Sequence, residues 1–210
     1  MRRDGGAAGR RGRLIVLAGP SGVGKGAIVA RLLAAVPDLE LSISATTRRP
    51  RPREDEGRHY YFVDRAGFDR MIDSGGFLEW ADIFGERYGT PKEPVERALA
   101  EGRDVLVEID VQGARQVKAA TPGAYMIFVK PPSLAELERR LRTRGTETDQ
   151  QVRRRLAKAS EELAAEPEFD VTVVNDDLER AAREVIEFVD RLRRRTIDND
   201  HTHVKEPKHA

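Results

Sequence analysis

Gly19-Pro20-Ser21-Gly22-Val23-Gly24-Lys25 stands directly after the apolar run Leu14-Ile15-Val16-Leu17-Ala18 and opens an apolar-periodic stretch. Its glycines let backbone N–H groups converge on an anion with no Cβ in the way, and the helix start adds partial positive charge. Lys25 supplies a full charge at the reach needed for the outer phosphates of a triphosphate. A glycine-rich stretch can be an ordinary strand-to-helix turn, but strand, loop, lysine and helix fall here in the order phosphate binding requires. One part is missing. Gly26, followed by Ala27, stands where a Ser or Thr hydroxyl usually binds Mg²⁺.

Other residues suited to chemistry lie further along. Ser44-Ala45-Thr46-Thr47-Arg48-Arg49-Pro50-Arg51-Pro52-Arg53-Glu54 packs hydroxyls and guanidinium groups into a loop stiffened by proline. Gly57, Tyr60, Tyr61 and Phe62 follow, then Glu79-Trp80, then Tyr88-Gly89-Thr90. Glu108 and Asp110 end an apolar strand; lying two apart, they are expected on one face of it, although such carboxylates can also simply cap the next helix. Arg139, Arg140, Arg142, Arg144, Arg153, Arg154 and Arg155 crowd residues 138–158. Asn175-Asp176-Asp177 reads equally as a turn and helix cap.

The elements that must position these groups alternate. Strand patterns cover Leu14–Ala18, Val105–Ile109, Tyr125–Val129 and Val171–Val174, with Leu41–Ala45 a more polar fifth. Helix patterns cover Lys25–Ala35, Pro91–Ala100, Ala114–Ala120, Leu134–Arg142, Gln150–Ala165 and Leu178–Arg194. Near-continuous β-branched runs between amphipathic helices predict a parallel sheet covered on both faces, with ligands at the carboxyl ends of its strands. Residues 44–90 break the alternation and read as an insertion of short strands and turns. Phe62 and Trp80 are expected in its core.

Composition narrows the function. The 210 residues suit one domain with small insertions. A formal net charge of +1 argues against generic nucleic-acid binding. Thirty arginines against seven lysines favour planar, bidentate phosphate recognition. The absence of cysteine excludes disulfides, thiolate metal sites and cysteine nucleophiles. No apolar run approaches a membrane span, and the basic, glycine-rich start lacks a secretory core, so a cytoplasmic location is expected. Residues 1–12 and 196–210 read as disordered tails, the latter holding His201, His203 and His209.

The chain resembles the guanylate kinase family over residues 13–193. The resemblance rests on the phosphate loop, Ser44-Ala45-Thr46-Thr47-Arg48, Pro50-Arg51, Gly57 with Tyr60, Glu79-Trp80, and Tyr88-Gly89-Thr90. It extends through Glu108-Ile109-Asp110-Val111-Gln112-Gly113, Arg144-Gly145-Thr146-Glu147 and Asn175-Asp176-Asp177-Leu178. It implies an α/β, P-loop NTPase-type fold over 13–195, with core 13–43, 91–137 and 159–195. A GMP-binding insertion would span 44–90, and a helical lid 138–158.

It further implies transfer of the γ-phosphoryl group of ATP to GMP, and to dGMP, with Mg²⁺. ATP would lie on Gly19, Pro20, Ser21, Gly22, Val23, Gly24, Lys25 and Gly26, with Asn175 at the adenine. Arg48, Arg51, Tyr60 and Tyr88 would hold the monophosphate. Glu79, Ser44 and Thr90 would read guanine, and Glu108 would contact the guanosine. Asp110 would hold Mg²⁺ through water and help organise the acceptor. Lys25, Arg48, Asp110, Arg140, Arg144 and Arg155 would carry catalysis by alignment and charge. Arg139, Arg142, Arg153 and Arg154 are expected as surface charges. No membrane, nucleic-acid or protein partner is implied.

Gly26 departs from this pattern and predicts a raised Mg²⁺ requirement or lower turnover. Arg53 stands where the family usually has glycine, which leaves Glu54 without an assigned role; if that glycine needs positive φ, Arg53 costs about 1 kcal/mol. Three rival readings stand beside this one: a guanylate-kinase-like binding module that has lost catalysis, a kinase of another phosphorylated acceptor, and a nucleic-acid binder. Lys25, Asp110 and the lid arginines oppose the first, and the set Ser44, Glu79 and Thr90 opposes the second.

Overall fold

A computed structural model describes residues 11–143 and 148–201. Five parallel strands form the main sheet: β1 (Leu14–Ala18), β2 (Leu39–Leu41), β7 (Asp104–Glu108), β8 (Tyr125–Lys130) and β9 (Val171–Val174), in the order β2-β7-β1-β8-β9. Every residue of β1 is buried, because alternate side chains enter different layers. Ile15 and Leu17 pack with α1 (Lys25–Ala35) and α7 (Leu178–His201), through Ile28, Leu32, Val185 and Val189. Leu14, Val16 and Ala18 pack with α3 (Lys92–Ala100) and α4 (Val111–Ala120), through Val95, Leu99, Ala114 and Val117. A strand apolar on both faces is thereby explained, and the expected doubly covered parallel sheet is present.

A second sheet interrupts the alternation: β3 (Ala45–Thr46), β4 (Tyr61–Phe62), β5 (Phe77–Ile83) and β6 (Glu86–Pro91), ordered β4-β3-β6-β5. Its β5–β6 hairpin is antiparallel, so Glu79 stands opposite Thr90. The fifth strand expected at Leu41–Ala45 is corrected: the segment divides, Leu39–Leu41 joining the main sheet and Ala45–Thr46 the second. Reading 44–90 as strands and turns alone also missed α2 (Arg65–Asp73), capped by the Asp64 carboxylate accepting from Gly67 N–H. Its core aromatic is Phe68, fully buried and stacked on Phe77 at 4.4 Å. Phe62 and Trp80 are only half-buried.

The helices α5 (Leu134–Thr143) and α6 (Asp149–Leu163) pack through their own apolar cluster of Leu137, Leu141, Val152 and Ala159. A capping box between Thr148 and Gln151 starts α6. The chain ends differ from expectation. Gly12 N–H already donates to Leu99 O at 2.8 Å, and α7 continues through Asn199 to His201 rather than fraying at 196. His203, His209 and residues 1–10 lie outside the described residues, as does Arg144.

Candidate active site

The phosphate loop joins β1 to α1. Gly19, Gly22 and Gly24 have φ of 144°, 91° and 98°, the region that disfavours side chains. A Cβ on Gly24 would also meet Asn175 Nδ2 at 2.6 Å. Helix α1 starts from Gly24 with no side-chain cap and no acidic residue in its first turn. Its first N–H groups therefore keep their donor capacity for an anion. Lys25 folds along the loop and donates to Gly19 O at 2.6 Å and Pro20 O at 3.3 Å.

Three groups tie this loop to the elements around it. Asn175 is 4% exposed and donates its side-chain amide to Val23 O at 2.7 Å. Arg140 on α5 donates to Asn175 O at 2.9 Å and to Val23 O at 3.4 Å, and is aligned by Glu136 at 2.7 Å. Arg155 on α6 donates to Ser21 Oγ at 2.7 Å. Asn175 thus stands in the structure as a brace of the loop backbone.

The carboxylates at the sheet's edge need one correction. Strand β7 ends at Glu108, and Asp110 belongs to the start of α4, so the two do not share a strand face. Asp110 caps α4, its Oδ1 accepting from Gly113 N–H at 2.9 Å; its Oδ2 faces Lys158 Nζ at 3.1 Å. Lys158 also faces Glu162 at 3.6 Å. Burial lowers the Lys25 pKa against the opposing pull of Glu108, Glu162 and Asp110. Burial raises both Glu108 and Glu162, again opposed by the nearby lysines. Lysines and carboxylates here offset one another's desolvation in a single cluster. Lys158 and Glu162 escaped the sequence reading; their spacing of four on an amphipathic helix was the available signal.

The second sheet brings together the other set. Arg48 donates to Glu54 Oε1 at 2.9 Å and lies over Tyr60 at 5.3 Å from its ring centroid. Burial works against the Arg48 charge, but hydrogen bonds to Glu54 and Tyr88 outweigh it. Its Nε is buried with no protein partner among the described residues, which leaves a donor directed for an anion. Glu54 also accepts from Arg51 N–H at 2.7 Å, so this carboxylate organises the arginine loop; its pKa falls, chiefly through Arg48. The side chain of Arg51 is exposed. Tyr60 meets Tyr88 edge-on at 6.1 Å, and burial raises its pKa. Arg53 has φ of 72°, so the condition set for its strain is met.

Glu79 is 4% exposed, with Oε1 accepting from Thr90 Oγ1 at 2.6 Å. Burial pushes its pKa up to about 7. Its other oxygen lies against α4, where a Cβ on Gly113 would stand 2.4 Å from Oε2. Ser44 lies on the chain leading into β3, its carbonyl accepting from Tyr61 N–H at 2.9 Å. Gln116 on α4 completes the junction: its Oε1 accepts from Trp80 N–H at 3.2 Å and its Nε2 donates to Trp80 O at 2.7 Å. A side-chain amide thus serves edge strand β5 as a neighbouring strand would. Gln116 had no sequence signal, because it works through backbone groups distant in the chain.

Both sets of residues meet at the first turn of α4. Asp110 faces the phosphate loop's lysine cluster, and Gly113 backs the carboxylate of Glu79. The guanylate kinase family model matches residues 11–192. A guanylate kinase from Synechococcus sp. (strain CC9902) is 56% identical over 174 residues, covering 83% of this chain and 93% of that protein. One from Rubrobacter xylanophilus is 55% identical over 183 residues, covering 87% and 96%. The crystal structure of guanylate kinase from Anaplasma phagocytophilum superposes with a TM-score of 0.71 at 32% identity, covering 85% of each chain. With its phosphate loop, second sheet and helical hairpin arranged as above, the chain belongs to the guanylate kinase family.

Proposed function

We propose that the chain transfers the γ-phosphoryl group of ATP to GMP, and to dGMP, in the cytoplasm, with Mg²⁺. The observation that carries this reading is the α4 junction, where Gly113 backs the buried carboxylate of Glu79 while Asp110 caps the same turn and pairs with Lys158, within electrostatic reach of Lys25. Glu79 accepts from guanine N1–H and the exocyclic amine, an edge adenine does not present, while Thr90 and Ser44 hold its surroundings. A wrong base leaves these buried groups unpaired. Arg48, Arg51, Tyr60 and Tyr88 take the monophosphate, and Glu108 faces the nucleoside. Residues 44–90 act as the GMP-binding unit and 138–158 as the lid, with Arg144 completing the lid's set of arginines.

The loop's positive-φ glycines, uncapped helix start and Lys25 suit a triphosphate. Among the described residues no three His, Asp or Glu side chains converge as a metal site. Asp110 would hold Mg²⁺ through water, a mode suited to a single carboxylate. When bound, Mg²⁺ supplies neutralisation of charge on the phosphate oxygens. Lys25, Arg140 and Arg155 hold the transferring group in line and stabilise its equatorial charge, and closure of the helical hairpin excludes water. Lys158 balances the charge of Asp110 from α6.

Gly26 is consistent with this reading. A Cβ there would stand no nearer than 3.8 Å to the Glu108 carboxylate, so a serine fits. Gly26→Ser lowers the Mg²⁺ concentration for half-maximal rate, because the ion gains an oxygen ligand; an unchanged Mg²⁺ titration removes the hydroxyl explanation. The functional reading itself is tested by ADP release from ATP with GMP, AMP, UMP and CMP as parallel acceptors. GMP-dependent turnover supports it. GMP binding without turnover on any acceptor replaces it with a binding module.

A further inference from the structure

We propose that Phe84 is a positioning residue, a latch that couples the acceptor-binding sheet to the cationic face of α6. Phe84 sits at the tip of the β5–β6 hairpin, where Ile83 pairs with Glu86 across the two-residue turn Phe84-Gly85. It is 39% exposed, one of two large apolar side chains so exposed among the described residues. Its ring nevertheless has partners. Arg155, Arg154 and Lys158 lie 5.2, 5.5 and 5.8 Å from the ring centroid. The negative face of the ring attracts all three and eases their crowding.

The backbone argues that a ring is wanted there. Both turn residues have positive φ, 56° at Phe84 and 90° at Gly85. That turn pattern favours Asn or Asp at its first position, and an aromatic residue strains it. Strain of this kind persists where the surrounding contacts hold it. Two of these cations also reach the candidate site: Arg155 donates to Ser21 of the phosphate loop, and Lys158 faces Asp110 at the start of α4. A carboxylate at the tip would bind them tightly and compete with phosphate for them. An aromatic face holds them weakly, with tolerance in direction, and lets them turn to a substrate without detaching the hairpin. The contact therefore carries the position of the acceptor-binding hairpin to the arginine that meets the triphosphate.

This inference rests on the functional reading above, and its test separates the two. Binding of GMP is measured by calorimetry, alone and with a non-hydrolysable ATP analogue, in the wild-type chain, Phe84→Asn and Phe84→Trp. Thermal stability and GDP formation are followed alongside. The wild-type chain binds GMP several-fold more tightly when the analogue is present. Phe84→Asn relieves the turn and raises Tm, binds GMP alone as the wild type does, loses that enhancement, and drops kcat/KM for GMP about tenfold. Phe84→Trp keeps the enhancement and the rate. A stabilised but uncoupled Asn variant is not what a merely structural residue would give. The latch is overturned if the wild type shows no enhancement, if Phe84→Asn retains it, or if Phe84→Trp loses as much as Phe84→Asn. Absence of GDP formation in the wild type would fail the functional reading, while the calorimetric comparison would still decide the latch.

Discussion

The phosphate loop and the second sheet would, in the function proposed above, solve the same problem, holding part of a nucleotide, with different materials. The loop is contiguous: seven residues, three of them glycine, present backbone N–H groups, and one lysine adds charge. The second sheet would hold its part with side chains from Arg48, Tyr60, Glu79, Tyr88 and Thr90, drawn from four short strands and their loops. Backbone donors recognise any phosphate and need no register. A carboxylate that must select one base edge needs a buried, braced position, and β5, β6 and α4 all contribute to it. Generality is written locally, whereas selectivity requires assembly.

Removing the charge from the local site has the largest expected effect. Lys25→Ala lowers kcat by about a thousandfold or more, the scale of losing a positioned charge at a developing anion. Calorimetry shows GMP binding unchanged, since the second sheet keeps its own set; a lost GMP signal would break the division drawn above. Glu79→Gln acts on the other side. It lowers kcat/KM for GMP by about a hundredfold or more, because an amide presents a donor to the guanine amine, and leaves ATP binding intact.

Glu79 also makes the comparison sensitive to pH. With a folded pKa of about 7 against an ordinary value of 4.5, its ionised form is disfavoured in the fold. The cost is fully present above about pH 7 and vanishes below the unfolded value. Glu79→Gln therefore raises Tm at pH 8 and leaves it unchanged near pH 4.5. In the wild type, KM for GMP rises as pH falls below about 7 while KM for ATP stays level. A level KM for GMP between pH 6 and 8 would show that ionisation of Glu79 does not limit base recognition.

Smaller effects test the bracing. Gln116→Leu removes both hydrogen bonds to Trp80 at similar volume and raises KM for GMP by about tenfold, with KM for ATP within about twofold. Equal changes in both constants would mean that α4 braces the whole site rather than the acceptor sheet. Arg53→Gly stabilises the chain by about 1 kcal/mol, by relieving a positive φ that a Cβ disfavours; chemical denaturation measures it.

Much of this molecule was legible before its structure. The five apolar residues of β1 announced a strand covered on both faces, and they enter two separate core layers. For Arg53 the sequence raised the question of a positive φ, and the structure answers it with 72°. The division of residues 39–46 between two sheets was not legible, since both halves carry a strand pattern and only pairing partners tell them apart. Helix α2 was hidden because Arg65–Asp73 buries mainly Phe68, a weak stripe in a stretch crowded with turn signals. Asp110 was placed on a strand because a spacing of two fits a strand as well as a strand end followed by a cap.

The layered sheet, the phosphate loop and its lysine depend on near neighbours in the chain and could be read from it directly: periodicity, glycine at defined offsets, one cation beside a helix start. The tertiary structure alone decided that Glu54 organises the arginines, that Lys158 and Glu162 share a cluster with Lys25 and Asp110, and that Gln116 serves as a strand for Trp80. It alone brought Phe84 against three cations of a distant helix. Such contacts join residues far apart in sequence, and their energies depend on burial and approach distance, which exist only once the chain has closed on itself.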